Sequence, residues 1–258
     1  MARIPIGLEL YSVRHDLEKD ARATLKAVAS MGYEGVEYAG PPKHDFKEIR
    51  KMLDEFKIVC CGWHVPFDMM QDDKLAETIE LSRTLGNTRL IVPWIPEELR
   101  KTRAGWLEVA KFFDSLVDKL KPHGMAPGYH NHHFEFSQLE GEVQWDIFFG
   151  ATRKEVIMQL DTGNALHGGG LSVPVLKRYP GRAKSVHLKP YSSKLANQGE
   201  HASFRPVIGE DEIPWAEVFR LCEMIGGTEW YVVEYESDAY PPLEAVECCL
   251  KALKKMGK

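Results

Sequence analysis

The chain has 258 residues, 44% of them hydrophobic, which is enough material for one large core. Its formal net charge is -5 at pH 7, so it lacks the cationic surface field that attracts nucleic acids or anionic membranes. We therefore expect a single domain that binds a small molecule and has neither a nucleic acid nor a membrane as its partner.

The cysteines indicate neither a disulfide framework nor a zinc ribbon, because no CxxC spacing occurs among them. They are Cys60, Cys61, Cys222, Cys248 and Cys249. Residues 1–5 lack the apolar core of a signal peptide, and no apolar run is long enough to span a bilayer. These features favour a reducing compartment, and we expect a cytoplasmic protein.

Short β-branched or aromatic runs alternate along the chain with longer segments of helical periodicity. We predict strands over 6–10, 35–38, 59–63, 89–92, 127–132, 156–160, 183–188 and 231–234. The clearest helix follows the fourth strand, where apolar residues recur at intervals of three and four from Trp106 to Leu120. Gly124 follows this helix as a C-terminal cap.

Eight strand-then-helix units predict an α/β fold, a (β/α)8 TIM barrel that occupies residues 1–258 as a single domain. In such a barrel the active site lies at the C-terminal ends of the strands. Polar residues fall at these ends here. They are Glu37, His64 and Trp94, followed by the segments 129–135, 160–164, 186–189 and 233–236. The topology therefore predicts that these side chains converge on one site.

Each of these four segments places His, Asp or Glu at the end of a strand. These are the side chains that hold a divalent cation between neighbouring strands. Side chains alternate along a strand, so His130 and His132 share a face while Asn131 points the other way. The sequence therefore predicts one divalent metal ion.

The irregular segment 190–213 follows the seventh predicted strand and contains Lys194, His201 and Arg205. Its position makes it a candidate lid over the site. No glycine-rich phosphate loop is recognisable, because the glycines at 168–170 are not followed by a clear helix start. We expect a sugar substrate without a phosphate group.

Several segments together resemble the sugar phosphate isomerase/epimerase proteins of the xylose isomerase-like TIM barrel superfamily. They are LELYSVR at 8–14, GYEGVE at 32–37, YHNH at 129–132, LDTGN at 160–164 and HLK at 187–189. The resemblance covers essentially the whole chain. Relatives in that superfamily include keto-sugar 3-epimerases, inosose dehydratases, keto-glycoside lyases and endonuclease IV, so the motifs specify the superfamily better than the reaction.

In the resembling epimerases, one Mn, Mg or Co ion is held by Glu, Asp, His and Glu from strands five to eight. For the last three positions the resemblance implies Asp161, His187 and Glu234. The first position departs from the family, because this chain has His-Asn-His where Glu-Asn-His is common. His130 is then the expected ligand, and His132 is the alternative. Two histidines and two carboxylates suit Mn, with Co, Fe, Zn or Mg as alternatives.

The chemistry that this resemblance implies is removal of a proton next to a carbonyl, with the ion stabilising the resulting enediolate. Two-base epimerases use carboxylates on opposite faces of the substrate, and the missing strand-five glutamate removes one of them. We expect Glu234 to act as one base and Glu135, His132 or Lys189 to carry the second proton. The candidates for substrate binding are Glu37, His64, Trp94, Asn164 and Arg205.

Structural roles are open for several of these residues. Asp161 could cap the turn that follows it, and Trp94 could serve packing. Glu37 and His64 could orient other residues from behind instead of touching the substrate.

A metal-dependent sugar isomerase or epimerase is the expected function. The alternative is a metal-dependent lyase or dehydratase that acts on an inosose or a keto-glycoside, and the second alternative is a non-catalytic sugar-binding barrel. A DNA repair nuclease is disfavoured by the net negative charge. The sequence implies no NAD or flavin, and it is compatible with a homo-oligomer without defining an interface.

Overall fold

The structure is a computed structural model that describes residues 3–199 and 201–258. Across these residues, eight parallel strands form a closed barrel and two short antiparallel strands form a separate hairpin. In chain order the strands are β1 (Ile6–Glu9), β2 (Gly35–Ala39), β3 (Val59–His64), β4 (Arg89–Val92), β5 (Ala126–His130), β6 (Gln138–Leu139), β7 (Glu142–Val143), β8 (Ile157–Asp161), β9 (Ser185–Leu188) and β10 (Trp230–Val233). The predicted (β/α)8 barrel is confirmed.

The barrel closes because β10 pairs with β9 on one side and with β1 on the other. Ile6 lies opposite Tyr231, and Leu8 lies opposite Val233. All these pairings are parallel, so the C-terminal ends of the strands meet at one edge of the barrel.

Helices pack around the barrel and cover its apolar outer surface. They are α1 (Arg14–Lys19), α2 (Ala21–Met31), α3 (Phe46–Phe56), α4 (Asp72–Leu85), α5 (Arg103–Leu120), α6 (Gln144–Ala151), α7 (Thr162–His167), α8 (Ser172–Arg178), α9 (Trp215–Leu221) and α10 (Pro242–Lys255). The predicted stripe of α5 is buried from Trp106 to Leu120. A 3-10 turn extends this helix to Gly124, whose φ of +68° ends the turn.

Strand β5 ends two residues earlier than predicted, at His130, because the side chain of Asn131 replaces the strand pairing. Asn131 Oδ1 accepts from the backbone N–H of Asp161 at 2.8 Å, and Asn131 Nδ2 donates to the Asp161 carbonyl at 3.1 Å. This amide clamp fixes the end of β5 against the end of β8, where two of the predicted ligands lie.

The predicted lid, 190–213, contains two short 3-10 turns, Ser193–Gln198 and Ala202–Phe204, while Glu200 lies outside the described residues. Across the described parts of the chain, no helix combines the length and apolarity needed to cross a membrane.

Candidate metal centre

The four predicted metal ligands lie together at the C-terminal edge of the barrel. They are His130, Asp161, His187 and Glu234. One candidate ligand atom from each residue lies within 4.8 Å of the others, and all four residues are buried. The closed barrel produces this cluster, since the residues come from β5, β8, β9 and the position just after β10.

Gln159, inside the barrel on β8, determines which nitrogen of two histidines carries a proton. Its amide nitrogen donates to both carboxylate oxygens of Glu37, at 2.9 and 3.1 Å. Its carbonyl oxygen therefore faces the histidines, 2.6 Å from His64 Nε2 and 3.0 Å from His130 Nδ1. An amide oxygen only accepts hydrogen bonds, so both of these nitrogens carry the proton. Burial lowers the pKa of both rings, which leaves them neutral.

This arrangement leaves His130 Nε2 without a proton, 4.0 Å from Asp161 Oδ2. A neutral imidazole binds a metal through such a bare nitrogen. The orientation therefore supports His130 as the strand-five ligand. His132 lies beyond the end of β5, and its ring packs against Trp94 with the centroids 5.2 Å apart.

His187 lies between two carboxylates. Its Nδ1 is 2.6 Å from Glu234 Oε2, and its Nε2 is 2.5 Å from Glu37 Oε2. A carboxylate behind a ligating histidine fixes its ring and increases its basicity, and Glu37 has the position for this role. Burial alone would raise the pKa of Glu37, but the hydrogen bonds from His187 and Gln159 contribute to lowering it to about 2. The Glu37 side chain fits in this position because residue 62 is a glycine, and a Cβ there would lie 1.9 Å from Glu37 Oε1.

Asp161 combines a capping role with an unused oxygen. Its Oδ1 accepts from the backbone N–H of Asn164 at 2.6 Å and caps α7. Its Oδ2 is buried and has no hydrogen-bond partner among the described residues. A buried acceptor without a partner costs about 1–3 kcal/mol, and a cation beside it would remove that cost. The donor set and this oxygen fit a divalent metal ion.

Lys189, two residues after His187, is buried behind the cluster. Its ammonium lies 2.9 Å from Glu234 Oε1 and also contacts Glu236. Burial alone would lower the pKa of Lys189, but the two carboxylates raise it. The lysine is therefore a fixed positive charge that keeps Glu234 ionised. Phe204, from the predicted lid, covers it with its ring centroid 5.2 Å from Nζ.

A cavity of about 390 Å³ leads from the surface to this cluster. The carboxylates and histidines that line it near the strand ends are Glu9, His64, His130, His132, Glu234 and Glu236. Tyr11 and Trp94 stand at its rim, 42% and 47% exposed. The volume and the mixture of polar and aromatic walls suit a small organic ligand.

A family model described as xylose isomerase-like TIM barrel matches residues 25–256. The match covers most of the chain and includes all four clustered residues.

The chain belongs to the xylose isomerase-like TIM barrel family.

Among its relatives, an inosose dehydratase from Serratia proteamaculans is 25% identical over 258 residues, covering 86% of this chain and 84% of that protein. A solved sugar phosphate isomerase/epimerase from Parabacteroides distasonis superposes with a TM-score of 0.83 at 24% identity and covers 98% of each chain. A solved L-ribulose 3-epimerase gives a TM-score of 0.72 at 17% identity, covering 99% of this chain and 94% of that one. The proteins that this chain resembles are therefore named for elimination as well as for isomerisation and epimerisation.

Three residues predicted to touch the substrate do not line the cavity of this family member. Glu37 lies beneath His187, 1% exposed. Asn164 is buried in the first turn of α7, where its amide donates to the Asn131 carbonyl at 3.2 Å. Arg205 is exposed and lines a separate surface depression with Tyr240. Their predicted contacts with a substrate therefore have no support from this cavity, whereas His64 and Trp94 line it.

Glu135, predicted as a proton carrier, also lies away from the cavity. Its carboxylate accepts from the Tyr129 hydroxyl at 2.5 Å and from the His132 backbone N–H at 2.9 Å. Tyr129 belongs to the aromatic layer between the barrel and α5, where its ring meets Phe113. Burial raises the pKa of Glu135 to about 8. This residue is fully enclosed at the turn after β5 and does not line the cavity.

Two residues of the site were not predicted. Gln159 interrupts the apolar run of β8, and Glu9 interrupts that of β1. A polar residue inside an otherwise apolar barrel strand is the signal that could have identified both, because the barrel interior rarely accepts a polar side chain without a partner.

Proposed function

We propose that this chain is a divalent-metal-dependent lyase that removes a proton next to the carbonyl of a keto-polyol or keto-sugar and eliminates a β-substituent, as a dehydratase does. The observation that carries the proposal is the one-sided distribution of carboxylates. Glu9 ends strand β1, and Glu234 and Glu236 follow the neighbouring strand β10. Strand β5, where an epimerase of this resemblance has its second carboxylate, offers His130 and His132 instead.

A single wall of carboxylates suits elimination from one face of the substrate. Glu234 takes the proton, the electrons of that C–H bond form a C=C bond, and the β-oxygen leaves with the electrons of its C–O bond. The leaving oxygen then receives the proton back from Glu234, so that water or an alcohol is released and the carboxylate is restored. The nearby Lys189 ammonium keeps Glu234 ionised at the start, at 2.9 Å.

Four residues would hold the ion in this proposal, namely His130, Asp161, His187 and Glu234. A divalent ion in this position supplies a Lewis acid that polarises the substrate carbonyl. Manganese is our first candidate, because the set mixes imidazole with carboxylate, and Co, Fe, Zn or Mg are the alternatives.

Isomerisation or epimerisation is the second candidate, and His132 is the residue that favours it. Its side chain lines the cavity on the β5 side, and its Nδ1 has no hydrogen-bond partner in the described part of the chain. Burial and the Lys189 charge lower the pKa of His132 to about 4, so the ring is a neutral acceptor at neutral pH. If one of Glu234 and His132 removed a proton from a substrate carbon and the other returned a proton to its opposite face, the configuration of that carbon would be inverted.

Proton exchange in D₂O separates these reactions. The manganese-loaded protein is incubated with a panel of inososes, free keto-sugars and 3-keto-glycosides, and substrates and products are followed by NMR. Release of water or an aglycone supports the lyase. A deuterated stereoisomer or an aldose/ketose product would establish the isomerase or epimerase instead.

Two controls define the result. Metal-stripped protein should be inactive, and Glu234→Gln should be inactive while remaining folded. If panel compounds bind but show neither proton exchange nor turnover, both enzymatic proposals are contradicted. A non-catalytic sugar-binding barrel would then be the remaining function.

A further inference from the structure

Glu9 is a buried carboxylate that faces the cavity and takes no part in the reaction proposed above. It is the last residue of β1 and is 1% exposed, yet it lines the cavity wall. Its Oε2 is buried and has no hydrogen-bond partner among the described residues. In either protonation state that carboxyl group retains a lone pair that can accept a hydrogen bond.

His64 presents a second acceptor beside it. His64 Nε2 donates to Gln159 at 2.6 Å, so Nδ1 is the bare nitrogen, and it lies 3.5 Å from Glu9 Oε1. This separation is too long for a good hydrogen bond between the two residues. An unpartnered carboxyl oxygen of Glu9 and a bare imidazole nitrogen of His64 therefore meet at the cavity wall with unused acceptor capacity.

A cation is a poorer occupant of this position than a hydroxyl group. Glu9, Glu37, His64 and His187 also lie close enough to bind one, within 4.8 Å. Glu37, however, already accepts from Gln159 through both oxygens and contacts His187 Nε2 at 2.5 Å. That leaves Glu9 and His64 as free ligands, fewer than the three or four protein ligands of an ordinary site.

We infer that Glu9 and His64 form a subsite that accepts hydrogen bonds from two adjacent hydroxyl groups of a polyol substrate. This subsite lies next to the position of the substrate carbonyl at the metal centre. The inference rests on the proposed function for its substrate class but concerns recognition and not the reaction. A ligand that lacks one of these hydroxyls would leave a buried acceptor unpaired, and sites of this kind discriminate strongly against such analogues.

Calorimetric titration tests the subsite without turnover. Full-length, manganese-loaded protein is titrated with inositols and pyranose sugars that carry no ketone, and then with the monodeoxy derivatives of the tightest binder. We expect two deoxy derivatives, at neighbouring carbons, to bind about 100-fold more weakly to the wild type. Glu9→Gln replaces one carboxylate oxygen by a donor, so this preference should fall below about 5-fold at one of those positions.

Matched variants keep the result interpretable. Glu48→Gln, on the exposed face of α3, removes the same charge far from the cavity and should retain the full preference. If Glu9→Gln fails to fold, His64→Asn replaces the imidazole acceptor instead. The preference for the hydroxyl group at one of the two positions should then fall in the same way. Metal content is measured for every variant and should equal that of the wild type.

Three results would overturn the inference: an unchanged preference in Glu9→Gln, the loss of a bound metal ion in that variant, or no binding of any panel polyol by the wild type. Catalysis in D₂O is a separate measurement. Polyol binding that depends on Glu9 without turnover would refute only the proposed lyase, and turnover without this dependence would refute only the subsite.

Discussion

Replacement of Gln159 by leucine should damage the metal centre although Gln159 is not a ligand. The side chain is fully buried and contacts Glu37, His64, His130 and Ser185 through its amide. Leucine has a similar size but neither donor nor acceptor. Any loss of metal affinity in Gln159→Leu would therefore come from orientation and protonation of the neighbouring rings.

The expected size follows from the groups left without partners. His64 Nε2–H and His130 Nδ1–H would each lose their acceptor inside the barrel, at about 1–3 kcal/mol apiece. Glu37 would lose two hydrogen bonds but keep its contact with His187. We expect the free energy of unfolding of the metal-free protein to fall by about 3–5 kcal/mol. Manganese affinity should fall about 10–100-fold, the usual cost of losing an outer partner of a metal ligand.

Urea unfolding of the metal-free protein measures the first quantity, and competition with a chelator measures the second. Gln144→Leu is the matched control. Gln144 is also buried. Its side-chain oxygen accepts a hydrogen bond from Trp106 Nε1 at 2.9 Å, and its side-chain nitrogen donates one to the Phe134 carbonyl at 3.0 Å, away from the site. This control should lose stability without losing metal affinity. Unchanged manganese affinity in a folded Gln159→Leu would refute the argument that Gln159 sets the bare nitrogen of His130.

Three further outcomes are expected. His130→Ala should lose the ion, whereas His132→Ala should bind it with nearly normal affinity, as measured by metal analysis after dialysis; the reverse pattern would move the strand-five ligand to His132. Lys189→Met should keep the ion but lower kcat, because Glu234 loses its 2.9 Å ammonium partner; loss of the fold, detected by circular dichroism, would instead make the lysine structural. Removal of bound metal with EDTA should lower Tm, since an ion that binds only the folded chain stabilises it, and an unchanged Tm would contradict this.

The periodicity of the sequence was sufficient for the fold, because eight alternations of apolar strands and amphipathic helices are compatible with few other architectures. It also indicated the strand-end segments that meet at the common edge, whereas the choice of Asp161, His187 and Glu234 within them came from the family resemblance. The boundaries were less exact. The end of β5 depends on a side-chain clamp by Asn131, which no periodicity reveals.

Predictions beyond the strand ends were the weakest. Glu135 and Arg205 lie in segments without regular alternation, where the sequence gives no direction for a side chain, and the structure places both away from the cavity. Glu37 does point inwards, but the absence of a side chain at Gly62 allows it to lie beneath His187 and away from the cavity. The role of Gln159 depends on contacts with four other strands, so it emerges only in three dimensions.

The position of the metal ion tests this account most directly. Crystals grown with manganese and measured at its absorption edge should show one anomalous peak bonded to His130 Nε2 and to oxygens of Asp161 and Glu234, at about 2.0–2.4 Å, with His187 as the fourth ligand. A peak between Glu9 and His64, or ligation by His132 in place of His130, would contradict it.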